Sequence, residues 1–356
     1  MTILGWHHLT LVCLDAQRTV DFYTGVLGQR FIKQTVNFDD PQSYHLYFGD
    51  ELGRPGTAVT FFEWPRAPHG VPGIGGTHHL ALTVADTAGL RQWKRRLTDL
   101  GVAVDGPLSR PSHAAIHFCD PDGVRLAIAT AGPAGEAIEA SDTWAEPVWA
   151  IHADMALMSG VRHVLAYCSD LERTDAFFGG LLGLERVETA TDPDEPGARR
   201  WTWGVDGGRP GTLLSYAERD PAATGMARIG IGQTHHFALA VPDEAVQREW
   251  REALLKAGMA VTPVIDRVYF KSIYTRDPDD HIVELATLGP GFTVDESPEE
   301  LGTALRLPPW LEGLRGDIER GLRPISVPPW QPPADPPRHP HHPPRQTDAP
   351  TPKSKI

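Results

Sequence analysis

The chain has 356 residues, 41% of them hydrophobic, and a formal net charge of −13. That is enough apolar material for two domains or one repeat-built unit. No basic block precedes the tail, and phosphate binding needs clustered Lys and Arg, so nucleic acid is excluded as the main partner. No apolar run approaches the ~20 residues of a membrane helix, and the N-terminus lacks the basic-then-apolar layout of a signal peptide. The cysteines Cys13, Cys119 and Cys168 lie far apart with no CxxC, which reads as reduced thiols in a cytoplasmic protein.

In chain order, the first element is "GWHHLTLVCLD", an alternating strand that carries adjacent histidines, His7 and His8. An acidic link, a helix over Asp15–Leu27 and a glycine, Gly28, follow, and then β-rich runs such as "SYHLYFGDELGRPGTAVTFFEW". The same series restarts at "THHLALTVAD" (helix Asp86–Leu100), at "VRHVLAYCSD" (helix Asp170–Leu182) and at "THHFALAVPD" (helix Asp243–Ala257). Asp before each helix and Gly after it are start and stop signals. "GRPGT" recurs in units one and three, and "DPDG" and "DPDD" occupy the same place in units two and four. The chain therefore reads as an internal repeat. The expected fold is α+β, four βαβββ modules forming two paired-module cups.

The modules are expected at residues 1–68, 76–131, 160–220 and 233–290. Residues 132–159 form a linker with an Ala/Glu/Trp-rich helical stretch. A C-terminal extension, 291–323, carries a capped helix near Pro309–Gly321. From Pro324 to residue 356 proline without apolar partners predicts a disordered or extended tail. "RHPHHPP" within it reads as solvated rather than metal-binding.

The first and last strands of each unit line the cup. The first-strand positions are His8, His79, His163 and His236. The last-strand positions, aligned on the preceding turn, are Thr60, Ala127, Ser215 and Glu284. Only unit four offers a carboxylate, and in "HIVELAT" Glu284 alternates with Val283 and Leu285, so it faces away from the helix-covered side. An acid there needs charge or hydrogen bonds to meet it. His236 and Glu284 with one partner histidine make two His and one carboxylate, the donor set of non-haem Fe(II) sites that activate O₂. Spacing leaves open whether His8 or His163 completes it. His79 has no carboxylate partner and reads as structural.

The βαβββ repeat with these ligands resembles the vicinal-oxygen-chelate superfamily of glyoxalases and extradiol dioxygenases. More narrowly, "GWHHLT", "VDFYTGVLGQRFIKQTVNFDDPQSYHLYFGDELGRPGT", "HHFALAVPD", "RVYFKSIYTRDPDDHIVELAT" and "GFTVDE" are similar to the hydroquinone-type ring-cleaving dioxygenases, over roughly residues 5–322. The resemblance implies a site built by the first and last units. Its ligands would be His8, His236 and Glu284 on Fe(II), with Mn(II) as the alternative ion. It further implies Tyr274 as an acid/base or hydrogen-bond partner and Arg267 facing an anionic oxygen, with His7, Thr10 and His235 supporting them. Alternation puts Thr10 on the face of His8 and His7 on the other. The partners implied are a small aromatic substrate of the hydroquinone kind and O₂, and a homo-oligomer is left open. The histidine pair of unit two departs from the chlorohydroquinone branch and points to a sister branch. The competing classes are a catechol-type dioxygenase, which would use His163, a glyoxalase-like isomerase or thiol transferase, which would need a fourth protein ligand, and a non-enzymatic binding protein, which need not keep a triad.

Overall fold

The computed structural model describes residues 1–133, 148–149, 158–193, 195 and 197–330. The first module contributes β1 (Trp6–Cys13), α1 (Ala16–Val20), β2 (Arg30–Asn37), β3 (Asp40–Gly49) and β4 (Ala58–Glu63). The second contributes β5 (Thr77–Val84), α2 (Thr87–Asp99), β6 (Asp105–Arg110), β7 (His113–Cys119) and β8 (Arg125–Thr130). After a two-residue strand, β9 (Val148–Trp149), come β10 (Met158–Cys168), α3 (Leu171–Asp175), β11 (Glu185–Thr191), β12 (Arg199–Gly204) and β13 (Leu213–Glu218). A short helix, α4 (Pro221–Thr224), leads to β14 (Thr234–Val241), α5 (Glu244–Lys256), β15 (Ile265–Asp266), β16 (Lys271–Arg276) and β17 (Ile282–Thr287), and α6 (Arg315–Gly321) follows. β10 opens at Met158, two residues inside the segment expected as linker. The helical stretch expected in that linker lies outside the described residues.

One local device is repeated four times. Asp15, Asp86, Asp170 and Asp243 each accept the backbone N–H three residues on, at 2.8–2.9 Å, satisfying a donor the helix start would orphan. Gly28, Gly101, Gly183 and Gly258 then take φ between +69° and +80°, where a side chain would be strained. In modules one and three the helix widens into i→i+5 turns, with Leu27 N bonded to Phe22 O and Leu182 N to Phe177 O.

The modules pair out of sequence order. The strand order β15-β16-β17-β14-β1-β4-β3-β2 joins modules four and one in a single sheet, and β11-β12-β13-β10-β5-β8-β7-β6 joins three and two. Within each module the first and last strands run parallel, as β1 with β4 and β14 with β17. The modules meet through antiparallel pairs, β1 with β14 and β10 with β5. One face of each sheet carries residues such as Leu9, Leu11, Leu80, Phe237 and Leu285, which join the helices in a single buried cluster. Phe178 of module three meets Phe237 of module four with ring centroids 6.3 Å apart, so this core spans both sheets. The opposite face of each sheet lines a cup.

The "DPD" turns lock the two sheets together. Asp122 accepts from Leu14 N at 2.8 Å, and Tyr23 donates to Asp120. Asp279 likewise takes Ser169 N, and Tyr216 donates to Asp277 at 2.6 Å.

The C-terminal helix is shorter than expected. It begins at Arg315 after a tight turn over Glu312–Leu314, and its N-cap, Leu314, makes no side-chain cap bond. Gly313 costs helix in this stretch, and the segment is held by burial of Leu307, Leu311, Ile318 and Leu322 instead. The tail expected from Pro324 is extended but attached through Trp330: Gln17 bonds both ways with the backbone of Ser326, and Trp330 lies 4.3 Å from the Arg30 guanidinium. Residues 331–356 lie outside the described region. Among the described residues no helix is long and apolar enough to cross a membrane, and all three cysteines are free.

Candidate metal centre

Antiparallel pairing of β1 with β14 sets two histidine-bearing strands side by side. Its register runs His8↔Ala238, Leu9↔Phe237, Thr10↔His236 and skips both His7 and His235. Each skipped residue is a β-bulge, the extra residue that breaks strict alternation. The sequence expectation that His7 points to the opposite face from His8 is corrected here. His7 Nδ1 lies 2.9 Å from His8 Nδ1, and His235 Nδ1 lies 2.8 Å from His236 Nδ1.

The hydrogen-bond network fixes the tautomers. His7 Nε2 donates to Thr287 O at 3.1 Å, so its Nδ1 accepts from His8 Nδ1–H. That leaves the Nε2 lone pair of His8 free to face the cup. Parallel pairing of β14 with β17 brings Glu284 beside Ala238.

His8, His236 and Glu284, the set implied by the resemblance where spacing left His8 or His163 open, converge, and among the described residues they are the cluster of His, Cys, Asp and Glu able to hold a metal ion. His236 Nε2 lies 2.9 Å and His8 Nε2 3.4 Å from Glu284 Oε2, and the two Nε2 atoms are 3.4 Å apart. Donors bound to one ion at ~2.1 Å lie about 3.0–3.4 Å apart for octahedral or tetrahedral angles. The carboxylate is fully buried, and Oε2 has no hydrogen-bond donor of good geometry. An orphaned buried acceptor aimed at two imidazole nitrogens fits a cation. Ser272 Oγ donates to the other oxygen, Oε1. Burial raises the Glu284 pKa, but His8 and His236 outweigh it and hold the carboxyl well below its usual range. Burial lowers His236 despite Glu284. Glu284 and His236 therefore rest in the deprotonated state that metal binding needs.

The cup above the triad has a volume of about 200 Å³. Phe62 and Phe270 wall it, and Tyr47, His45, Tyr274 and Arg267 supply its polar groups. Of the expected supporting residues, Tyr274, Arg267 and His235 line this cup, whereas His7 and Thr10 do not. Arg267 Nε donates to Tyr274 Oη at 3.3 Å, and its Nη1 pairs with Asp39 at 3.0 Å. Burial, then Glu284, push the Tyr274 hydroxyl upward, so it stays a protonated donor at neutral pH. Burial brings His7 and His235 down to about 3, which keeps both neutral.

Thr10 sits beneath the cup and shares a 2.8 Å hydrogen bond with Thr60. Thr60 also meets His45 Nε2 at 2.9 Å, and His45 Nδ1 meets Tyr47 Oη at 3.0 Å. His45 and Tyr47 were missed in the sequence. The signal was present in "SYHLYFG", where they alternate with Tyr44 and Leu46, the same pattern that singled out Glu284. Burial, with the nearby His8 and His236, holds His45 well below its ordinary pKa. Thr60 pairs with Thr10 at the register position that Glu284 holds opposite Ala238. Module one thus contributes no carboxylate.

The sequence profile of the Glyoxalase/Bleomycin resistance protein/Dioxygenase superfamily matches residues 5–128 and 160–285. The chain belongs to this superfamily. Within it, the chain falls among the ring-cleaving dioxygenases. It is 35% identical over 324 residues to MhqO of Bacillus subtilis (strain 168), named as a ring-cleaving dioxygenase, covering 91% of this chain and 97% of that one. It is 33% identical to the chlorohydroquinone/hydroquinone 1,2-dioxygenase of Sphingobium indicum, over 91% of this chain and 97% of that one. A crystal structure of a dioxygenase-named protein from Bacillus subtilis subsp. subtilis str. 168 superposes with a TM-score of 0.80 at 33% identity, covering 92% of this chain and 98% of that one. Glyoxalase I from Zea mays shares the fold, with a TM-score of 0.58 at 17% identity.

Proposed function

We propose that this enzyme is a non-haem Fe(II) ring-cleaving dioxygenase acting on a hydroquinone-like para-diol. The observation that carries the reading is the His8–His236–Glu284 triad at the floor of an aromatic-walled cup, with Arg267 and Tyr274 beside it. Three protein donors leave open positions for both a phenolic oxygen and O₂, and Fe(II) bound there would supply the electron transfer that activates O₂. Mn(II) suits the same donors.

The chain's own residues have definite tasks in this reading. Phe62 and Phe270 hold the ring flat and keep water out. Tyr274, a protonated donor, and Arg267, a fixed cation, hydrogen-bond a ring oxygen as negative charge grows on it. His45, neutral and with both ring nitrogens engaged by Thr60 and Tyr47, holds the Tyr47 hydroxyl in place at the cup wall. The named activity of the Sphingobium relative supports a para-diol. The sheet that joins modules one and four supports His8, rather than His163, as the third ligand.

Oxygen uptake with Fe(II) should be fast with hydroquinone and slow with catechol. The reverse order would favour the catechol-type reading. Glu284→Gln should lose stoichiometric iron, measured by elemental analysis, while circular dichroism stays native. Full iron retention would overturn the ligand set.

A further inference from the structure

The second sheet curves round a cup with the same register positions filled differently. Where Glu284 stands in the first cup, the second has Ala127 and Ser215. Its two inward histidines, His79 and His163, meet directly, with Nε2 atoms 3.1 Å apart.

The proton positions follow from one fact, that an arginine can only donate. Arg162 takes the bulge position that a histidine fills in the other three modules, and its Nη1 donates to His163 Nδ1 at 3.1 Å. His163 must then carry its proton on Nε2 and give it to His79 Nε2. His79 in turn donates from Nδ1 to His78 Nδ1 at 2.9 Å. Both inward nitrogens are consumed in a one-way chain, and no carboxylate stands between them. This cup is not a second metal site.

Its charge is of the opposite kind. A cavity of about 50 Å³ is lined by Arg110, Arg162 and Arg200, with Glu188 as the one carboxylate among its described lining residues. Arg162 is 4% exposed, and backbone oxygens fix it: Nε donates to Thr130 O at 2.9 Å and Nη2 to Ser112 O at 3.3 Å. Arg200 Nε is buried with no hydrogen-bond acceptor, and its Nη2 reaches Glu188 only at 3.6 Å. Glu188 is further shared with Thr202. Burial lowers Arg162 to about 10, with Glu188 opposing, so it stays charged at neutral pH. Burial lowers His163, His79 and His113, and the arginines push the same way, so the imidazoles add no charge. Among the described residues the Arg162 and Arg200 guanidinium groups thus share one carboxylate, and buried cations are retained where a counter-charge meets them.

We propose that the second cup is a binding site for one small oxyanion, a phosphate or a carboxylate, held between Arg200 and Arg162. A cavity of this volume takes an oxyanion head group and is too small for the aromatic ring that the first cup accommodates. Guanidinium groups match both carboxylate and phosphate geometry.

Titration calorimetry on the full chain, with inorganic phosphate and with acetate, tests this. At least one anion should bind saturably with one site per chain at millimolar concentration, and preference between them identifies the source as tetrahedral or planar. Arg200→Gln should weaken that binding about tenfold or more, as expected for a lost charge-assisted hydrogen bond. Glu188→Gln, which removes the competing carboxylate, should tighten it several-fold. The opposite signs separate a binding role from a merely structural one, and Glu188→Gln stands as a test even if Arg200→Gln fails to fold. Absence of saturable binding by both anions, or equal affinity in the native chain and Glu188→Gln, overturns the proposal.

Discussion

At the residue scale the adjacent histidines are explained by a bulge. A regular strand would send His7 and His8 to opposite faces, whereas the skipped register at His7 and His235 brings each first histidine against the Nδ1 of the next. The first of each pair orients the second. His7→Phe removes the acceptor for His8 Nδ1–H and should weaken iron binding about 10–100-fold with the fold intact. Metal titration against a competing chelator measures it, and unchanged affinity would remove His7 from the support of the site. His163→Ala should leave iron content unchanged, and His8→Ala should abolish it.

Glu284 was legible in the sequence because a carboxylate broke an apolar alternation. His45 was equally patterned and went unread, because imidazole on a strand carries no such penalty. Bulges have no composition signal of their own, so the facing of His7 could not be read.

At the element scale the segment after β17 matters more than its irregular shape suggests. Lys33 of β2 is fully buried, and its ammonium bonds Phe292 O at 3.1 Å, Asp295 at 2.6 Å, and Glu296. Phe292 packs on Tyr47 and Tyr269. The "GFTVDE" stretch therefore backs Tyr47 and Phe270, which line the cup, and is tied down by a buried ion cluster. Lys33→Met leaves buried Glu296 with only Arg306, 3.3 Å from its other oxygen, and Asp295 without its cation, and should cost about 3 kcal/mol by urea denaturation. A loss within error would mean that packing alone holds the segment.

The "DPDG" turn offers a second test. Burial raises the Asp120 carboxyl from 3.8 to about 7 against the pull of its hydrogen bonds. A folded pKa raised this way means the protonated form stabilises the fold. That contribution is complete below the ordinary pKa of 3.8 and is lost as pH rises through about 7. Asp120→Asn titrates nowhere, so its melting temperature should gain on the native protein as pH goes from about 4 to 8. A difference between the two that stays constant, or shifts in favour of the native protein as pH rises, would contradict the assignment. Helices and turns of this kind were legible in the sequence, with their Asp and Gly signals at fixed offsets. The uncapped start of α6 was not, since burial of Leu311 and Ile318 decides it rather than a local motif.

At the scale of the whole molecule, spacing told that four modules exist but not which ones pair. β1 and β14 are joined by main-chain bonds although some 220 residues separate them, and strand pairing at that range leaves no local trace. Family resemblance was the only guide, and the sheet order of modules four and one agrees with it. The unequal fate of the cups followed the same line, since Ala127 and Ser215 announced that the second had lost its carboxylate.

The pairing of first module with last also bears on when activity can exist. His8 leaves the ribosome early and Glu284 late, and the strands in between build the other cup or wait for a partner. On the proposed ligand set, a growing chain therefore cannot assemble the triad until residue 284 has been synthesised. The same holds for damage. Cutting the chain between residues 133 and 158 divides each cup, since the N-terminal piece keeps His8 and the C-terminal piece keeps His236 and Glu284. Neither piece alone should hold iron, and mixing the two should restore it, with elemental analysis as the measure. The proposed metal site would then be a mark of completeness, formed only in a molecule whose two ends have found each other.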